Sequence, residues 1–178
     1  MRAADGMALA DLKKRVKNCF EAGALASGCE LEIQWALGDY LEIKDCWPIA
    51  ERYKTNAESL GRSFFPLEKI PTTGAGSTDM GNVSHRVPSI HPMISCAPPH
   101  VVIHNPEFAK YAGSETGDAA VLDGAKALAM TAIDVMTDDQ LMSDARDQFA
   151  ETADLSAKAV AQAWHGDGDV TLGGCGCC

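Results

Sequence analysis

The sequence predicts an α/β fold in which helices cover a small sheet. Three observations carry this expectation. A helical pattern over residues 7–26 runs directly into a strictly alternating segment, Glu30-Leu-Glu-Ile-Gln-Trp35. A β-branched run, Val101-Val-Ile-His104, follows the Pro98-Pro99 pair. Residues 115–163 then carry two helical patterns rich in small residues, which suits close packing of helices against a sheet.

In the first pattern Leu9, Leu12, Val16, Cys19/Phe20 and Gly23/Ala24 recur on one face, and Lys13, Lys14, Arg15 and Lys17 lie opposite. Gly28 stops the helix. Leu31, Ile33 and Trp35 share one side of the next segment, as in a half-buried strand, and Gly38-Asp39 breaks it. Asp45 is the expected cap of a helix over 46–60, with Pro48 tolerated in its first turn. The core face of that helix is Trp47/Ile49/Ala50, Tyr53, Ala57 and Leu60. Residues 61–79, rich in Gly, Ser, Thr and Pro, form a long loop of the kind that usually serves function. Pro88 and Pro92 keep 82–95 extended. Over 115–136 the apolar stripe reads Ala119, Leu122, Ala125, Leu128/Ala129, Ala132 and Val135/Met136. Thr137-Asp-Asp-Gln140 has the spacing of a capping box. It begins a second helix to about 163, with Leu141, Ala145, Phe149 and Ala153 on its core face.

The 178 residues suffice for a core, and 46% hydrophobic with 22% charged side chains excludes a disordered chain. The net charge of −10 is uneven. Residues 1–104 hold 12 acidic and 11 basic side chains, and 105–178 hold 13 and 4. So acidic a surface repels phosphate backbones, and no nucleic-acid partner is expected. Apolar runs are only a few residues long, so no membrane partner is expected. No basic-then-apolar signal opens the sequence, and the expected location is cytoplasmic. Seven cysteines without paired CxxC motifs support neither a structural zinc site nor a disulfide framework. Cys19, Cys29, Cys46 and Cys96 read as buried thiols. The Gly-rich end from Gly166, closing Cys175-Gly-Cys-Cys178, reads as a flexible tail with reactive thiols, and soft-metal binding is its weaker reading.

Two stretches invite chemistry. His85, His91, His100 and His104 fall within twenty residues, a clustering that raises a metal site. On a strand, His100 and His104 lie about 13 Å apart, so at most one of them ligates a given metal. In Gly74-Ala-Gly-Ser-Thr-Asp-Met-Gly-Asn82 the glycines allow close approach of backbone N–H groups to a ligand. Ser77 and Thr78 add hydroxyls and Asp79 a carboxylate, but the loop matches neither a phosphate loop nor GxGxxG.

Together Gly76-Ser-Thr-Asp-Met-Gly-Asn-Val-Ser84, Val87-Pro-Ser-Ile-His-Pro92, His104-Asn-Pro-Glu-Phe108 and Ala125-Lys-Ala-Leu-Ala-Met-Thr-Ala132 resemble the C-terminal part of the di-zinc amidohydrolases. This is the aminoacylase/carboxypeptidase clan, metallopeptidase family M twenty, with its aminoacylase-like dipeptidases and p-aminobenzoyl-glutamate hydrolases. The resemblance runs from about Arg2 to about Phe149. It implies a partial zinc-exopeptidase-like catalytic domain over 38–165, preceded at 1–37 by the last helix and strand of an α+β lid and followed at 166–178 by the tail. It makes His104 a zinc ligand, sets Gly76, Ser77, Thr78 and Asp79 at the substrate carboxylate, and puts His91 in the pocket wall. His85 stands where an aromatic residue is more usual. The implied substrate is a small peptide or N-acyl amino acid, the cofactor a zinc pair, and the partner a second copy through the lid. The remaining ligands and the general-base glutamate of such enzymes have no counterpart here, so no catalytic residue is assigned. The expectation is a truncated or mis-started copy of a longer hydrolase, inactive alone. The alternative is a non-enzymatic module that pairs with an intact homologue.

Overall fold

A computed structural model describes residues 1–66 and 78–164. They form seven helices: α1 (Gly6–Ser27), α2 (Trp47–Ser59), α3 (Met80–Ser84), α4 (Pro106–Ala112), α5 (Glu115–Thr137), α6 (Asp139–Ala150) and α7 (Ala153–Ala163). Strand pairing among the described residues is confined to two isolated bridges, Gly38 with Trp164 and Asp45 with Ser89. The described chain is therefore mostly helical, where the sequence predicted α/β. Residues 29–36 and the 101–104 run have no sheet partner there. Alternation prepares one face for burial, but a strand also needs a neighbour to take its backbone hydrogen bonds. Leu31 and Trp35 are exposed accordingly.

The described residues divide into two compact units. The first comprises 1–43, 78–86 and 153–164. Here α1 starts on the Asp5 carboxylate, which accepts from Ala8 N at 2.7 Å, and ends at Gly28, whose φ of 69° is a left-handed stop. Its contacts run to α7. Leu41, Ala159 and Ala163 form a small core, and Val160 packs against it. Lys13 reaches from α1 to Asp39 at 2.9 Å and lies over the Trp35 ring at 4.6 Å. No side chain of α1 is buried, Cys19 included, and Cys29 just beyond its end is exposed as well, although both read as interior thiols.

The second unit comprises 44–66 and 87–152. Helix α2 packs on α5 around Tyr53, Ala57 and Ala127, with Leu60 and Ile90 at the margin. Asn56 crosses this contact, donating to Thr131 Oγ1 at 3.1 Å and to Asp134 Oδ2 at 2.8 Å. The stripe predicted for α5 is out of phase with the covered face. The buried residues are Gly117, Ala120, Ala127 and Thr131, while Leu122, Leu128 and Met136 face outward. Small side chains let the helix axes approach closely, so the smaller face wins the contact. Gly117 is required by the close turn from α4 instead, because a Cβ there would lie 2.2 Å from the Ala112 carbonyl oxygen.

Helix ends also differ from expectation. Asp45 does not cap α2; Cys46 holds the N-cap position, and Gln148 of α6 accepts from Trp47 N at 2.9 Å. The same amide donates to the Asp45 carbonyl at 3.3 Å. The cap of α6 is Asp138 rather than Thr137, accepting from Gln140 N and Leu141 N. The helix expected to about 163 breaks at Glu151-Thr152, giving α6 and α7. Helix α4 was not anticipated, although Asn105-Pro106 is a start signal: the Asn105 side chain accepts from Phe108 N at 3.0 Å.

Candidate functional site

The loop motif closes on α3, and the first unit fixes that helix tightly. Gly81 lies against the chain crossing at Leu41: a Cβ on it would stand 1.8 Å from the Leu41 carbonyl oxygen and 2.7 Å from its carbon. Glycine alone allows this contact. Asn82 then grips the same crossing from both sides. Its Oδ1 accepts from Leu41 N at 3.2 Å and its Nδ2 donates to the Asp39 carbonyl at 2.9 Å. Glu42 extends the grip, accepting from Gly6 N at 2.9 Å through Oε2. Its Oε1 stands 3.3 Å from Nε2 of His85, which is only 5% exposed. That contact lacks hydrogen-bond alignment, and neither ring nitrogen of His85 has a hydrogen-bond partner.

This frame holds Thr78 and Asp79 together at the start of α3. Thr78 Oγ1 lies 3.4 Å from Asp79 Oδ1 and accepts from Met80 N at 3.3 Å. Asp79 is exposed, and its carboxylate makes no helix-capping bond. Gly76 and Ser77 lie outside the described residues, as do Cys175, Cys177 and Cys178. His91 and His104 belong to the second unit, and both are exposed. His104 has φ 64°, the left-handed region, and among the described residues it is the non-glycine residue found there. Such a conformation costs on the order of 1 kcal/mol. It is held by the α4 start that follows, with Asn105 as cap and Pro106 in the first turn. His85, buried beside Glu42, takes no part in an open site.

Among the described residues, no group of three or more His, Cys, Asp or Glu side chains comes together to hold a metal ion. These residues do not by themselves fit a zinc pair, and no chemical step is derived through one. A shallow groove of about 300 Å³ lies between α2 and α6, lined by Pro48, Glu51, Arg52, Thr55, Asp138 and Leu141 among others. Its polar groups serve structure. Arg52 pairs with Asp138 at 2.7 Å and with Asp134 at 3.5 Å. The Arg52 hydrogen bond, helped by Leu141 N–H, holds the Asp138 carboxyl below its ordinary range. The groove contains no motif residue.

Sequence reasoning missed Glu42, because nothing local marks it; its importance comes from joining Gly6 and His85 across 36 and 43 positions. Asn82 carried a signal, as the last residue of the Gly-rich run.

No family model matches the chain. It is similar to the human (Homo sapiens) Xaa-Arg dipeptidase, with 37% identity over 138 residues, covering 78% of this chain and 31% of that protein. The mouse (Mus musculus) Xaa-Arg dipeptidase gives 36% over 138 residues, covering 78% and 32%. The chain thus spans about a third of the length of the curated relatives it matches. Identity at this level, over most of the chain and alongside the loop and His104 motifs, makes it a relative of the dipeptidases of metallopeptidase family M twenty.

Proposed function

We propose that this chain supplies the C-terminal part of a metal-dependent dipeptidase that hydrolyses the amide bond of a dipeptide or N-acyl amino acid. The observation that carries this reading is the 37% identity to an Xaa-Arg dipeptidase over 138 residues. Residues 1–37 then act as a lid remnant and 38–165 as the returning part of the catalytic domain. His104 contributes one ligand to a zinc centre completed by residues outside this sequence. The exposed imidazole and the fixed backbone around it support that role. The Gly76–Asp79 segment meets the substrate carboxylate, with His91 in the pocket wall. The chain alone is inactive.

Reconstitution tests this. The chain is co-expressed with the human relative deleted for its matched segment, and the purified pair is assayed with zinc for arginine release from an Xaa-Arg dipeptide. Release is expected only from the pair. A His104→Ala pair should lose at least about a hundredfold, as for a lost metal ligand or its support. Full activity of that variant pair would remove His104 from the centre.

A second reading, a non-enzymatic module that pairs with an intact homologue through its lid remnant, is favoured by one observation. Phe20, Leu25, Leu31, Trp35 and Leu37 are all exposed. Size-exclusion chromatography of the chain with and without the intact human relative checks it; a monomer indifferent to the relative would end it.

A further inference from the structure

His85 is a buried titratable group with no part in the open site. Its side chain is 3% exposed, and neither ring nitrogen has a hydrogen-bond partner. Buried polar atoms are otherwise almost always paired. Its neighbour is a carboxylate. Glu42 Oε1 stands 3.3 Å from Nε2, while Oε2 accepts from Gly6 N at 2.9 Å. The Gly6 bond fixes this carboxylate at the start of α1, and a side-chain exposure of 33% keeps it in touch with solvent. An ion pair is thus laid out at short range without a hydrogen bond to close it.

The charged groups on the surrounding elements are committed elsewhere or exposed. Lys13 of α1 pairs with Asp39 at 2.9 Å, and Asp5 caps α1 at Ala8 N. Lys44 bonds Thr152. Asp79 and Arg86, before and after α3, are exposed, as are Asp154 and Lys158 of α7. Among the described residues, Glu42 is the charged group set against the imidazole.

A proton changes this pair. Neutral imidazole has one donor N–H and one acceptor nitrogen, whereas imidazolium has two donors. Once protonated, Nε2–H can donate to Oε1 whatever the starting tautomer, and a bond between charged groups is roughly twice as strong as a neutral one. Histidine changes charge between about pH 5 and 8. The residue is also the C-cap of α3, a helix that needs outside support. It is five residues long, and its amides at Gly81, Val83 and His85 reach their carbonyls at 3.3, 3.4 and 3.2 Å. Thr78 and Asp79 stand at its start.

We propose that His85 and Glu42 form a proton-operated latch on α3. Protonated His85 closes on Glu42, ties the end of α3 to the 41–43 crossing and orders the Thr78–Asp79 segment. Loss of the proton loosens all three. His85 is then a positioning residue for substrate binding; that last step rests on the functional reading above, and the latch itself does not.

Amide hydrogen exchange of the full chain, read by NMR, tests the latch without catalysis. Gly81, Val83 and His85 are followed at about pH 5.5 and about pH 8, with intrinsic rates divided out. In the wild type they should exchange at least about fivefold more slowly at the lower pH. His85→Phe fills the space without a proton, and the difference should vanish. Glu42→Gln turns an N–H towards the ring, which suits neutral imidazole and opposes imidazolium, so the difference should vanish or reverse. Equal protection at both pH values in the wild type overturns the proposal. So does a difference that survives in the same direction in either variant. If both variants unfold, the wild type decides: its His85 ring must titrate with the same midpoint as the amide protection, and separate midpoints overturn the latch. Arginine release by the reconstituted pair separates the two ideas. KM should rise with pH in the wild-type pair and stay level in His85→Phe. An active pair whose KM ignores pH refutes the positioning role. An inactive pair with the exchange difference intact refutes the enzymatic reading only.

Discussion

Gly81→Ala should destabilise the first unit by about 2–4 kcal/mol, although alanine is the better helix former. The added methyl would sit 1.8 Å from the Leu41 carbonyl oxygen and 3.2 Å from the Glu42 carbonyl carbon. Both are backbone atoms, and Leu41 cannot retreat because its side chain packs in the core with Ala159 and Ala163. Helix α3 must therefore move off. That breaks the two Asn82 hydrogen bonds, at 3.2 and 2.9 Å, worth about 1 kcal/mol each. Overpacking adds about 1–3 kcal/mol. The helical preference of alanine over glycine returns about 1 kcal/mol. The assay is urea unfolding followed by tryptophan fluorescence in a Trp47→Phe background, which leaves Trp35 and Trp164, both in the first unit, as reporters. With a slope of about 1–2 kcal/mol per molar, the midpoint should fall by roughly 1–4 M. Gly23→Ala is the control, since its Cβ would meet nothing within 4 Å; it should be neutral or stabilise by up to about 1 kcal/mol. A Gly81→Ala midpoint at or above that of the parent would refute the close crossing.

Asn56→Ala should cost the second unit about 2 kcal/mol, because it removes the donor shared by Thr131 and Asp134; a change below about 0.5 kcal/mol in chemical unfolding would show that the network contributes little. The depressed Asp138 carboxyl gives stability that is present above the ordinary carboxylate value near about 3.9 and is lost as pH falls through its lower folded value. Asp138→Asn keeps a capping oxygen but not the Arg52 ion pair, so the loss of stability with acid should be shallower; an unchanged acid limb would contradict the assignment. Burial raises the Cys46 thiol above its ordinary value, so iodoacetamide at pH 8 should modify exposed Cys19 and Cys29 well before Cys46, as read by peptide mapping; equal rates would contradict its burial.

The helices were legible where a pattern was local. The spacing of Leu9, Leu12 and Val16 and the run after Ser114 predicted α1 and α5 to within a few residues, and the Thr137–Gln140 box marked the start of α6 but not its end. What depended on a partner was not legible. Leu31, Ile33 and Trp35 alternate as a strand should, yet nothing among the described residues pairs with them. The phase of α5 failed for a related reason. Hydropathy ranks Leu122 and Leu128 above Ala127 and Thr131, but proximity to α2 selects the smaller residues. For the candidate site, the resemblance rather than spacing singled out Thr78, Asp79 and His104. The support beneath Thr78 and Asp79, through Gly81, Asn82 and Glu42, joins residues some forty positions apart and could not be read from neighbours in sequence.

The amide of Gln148 at the start of α2 has a kinetic consequence. That helix has no cap of its own, and the acceptor that completes its first turn arrives from 101 residues downstream. Lys44 likewise finds Thr152 across 108 residues. Loop closures of this length come late and slowly in folding. The beginning of α2 should therefore stay frayed until α6 arrives, and Gln148→Ala should speed unfolding while leaving the folding rate almost unchanged. In a chain grown from its N-terminus, residues 45–47 wait for most of the sequence to be made before their last backbone donor is satisfied.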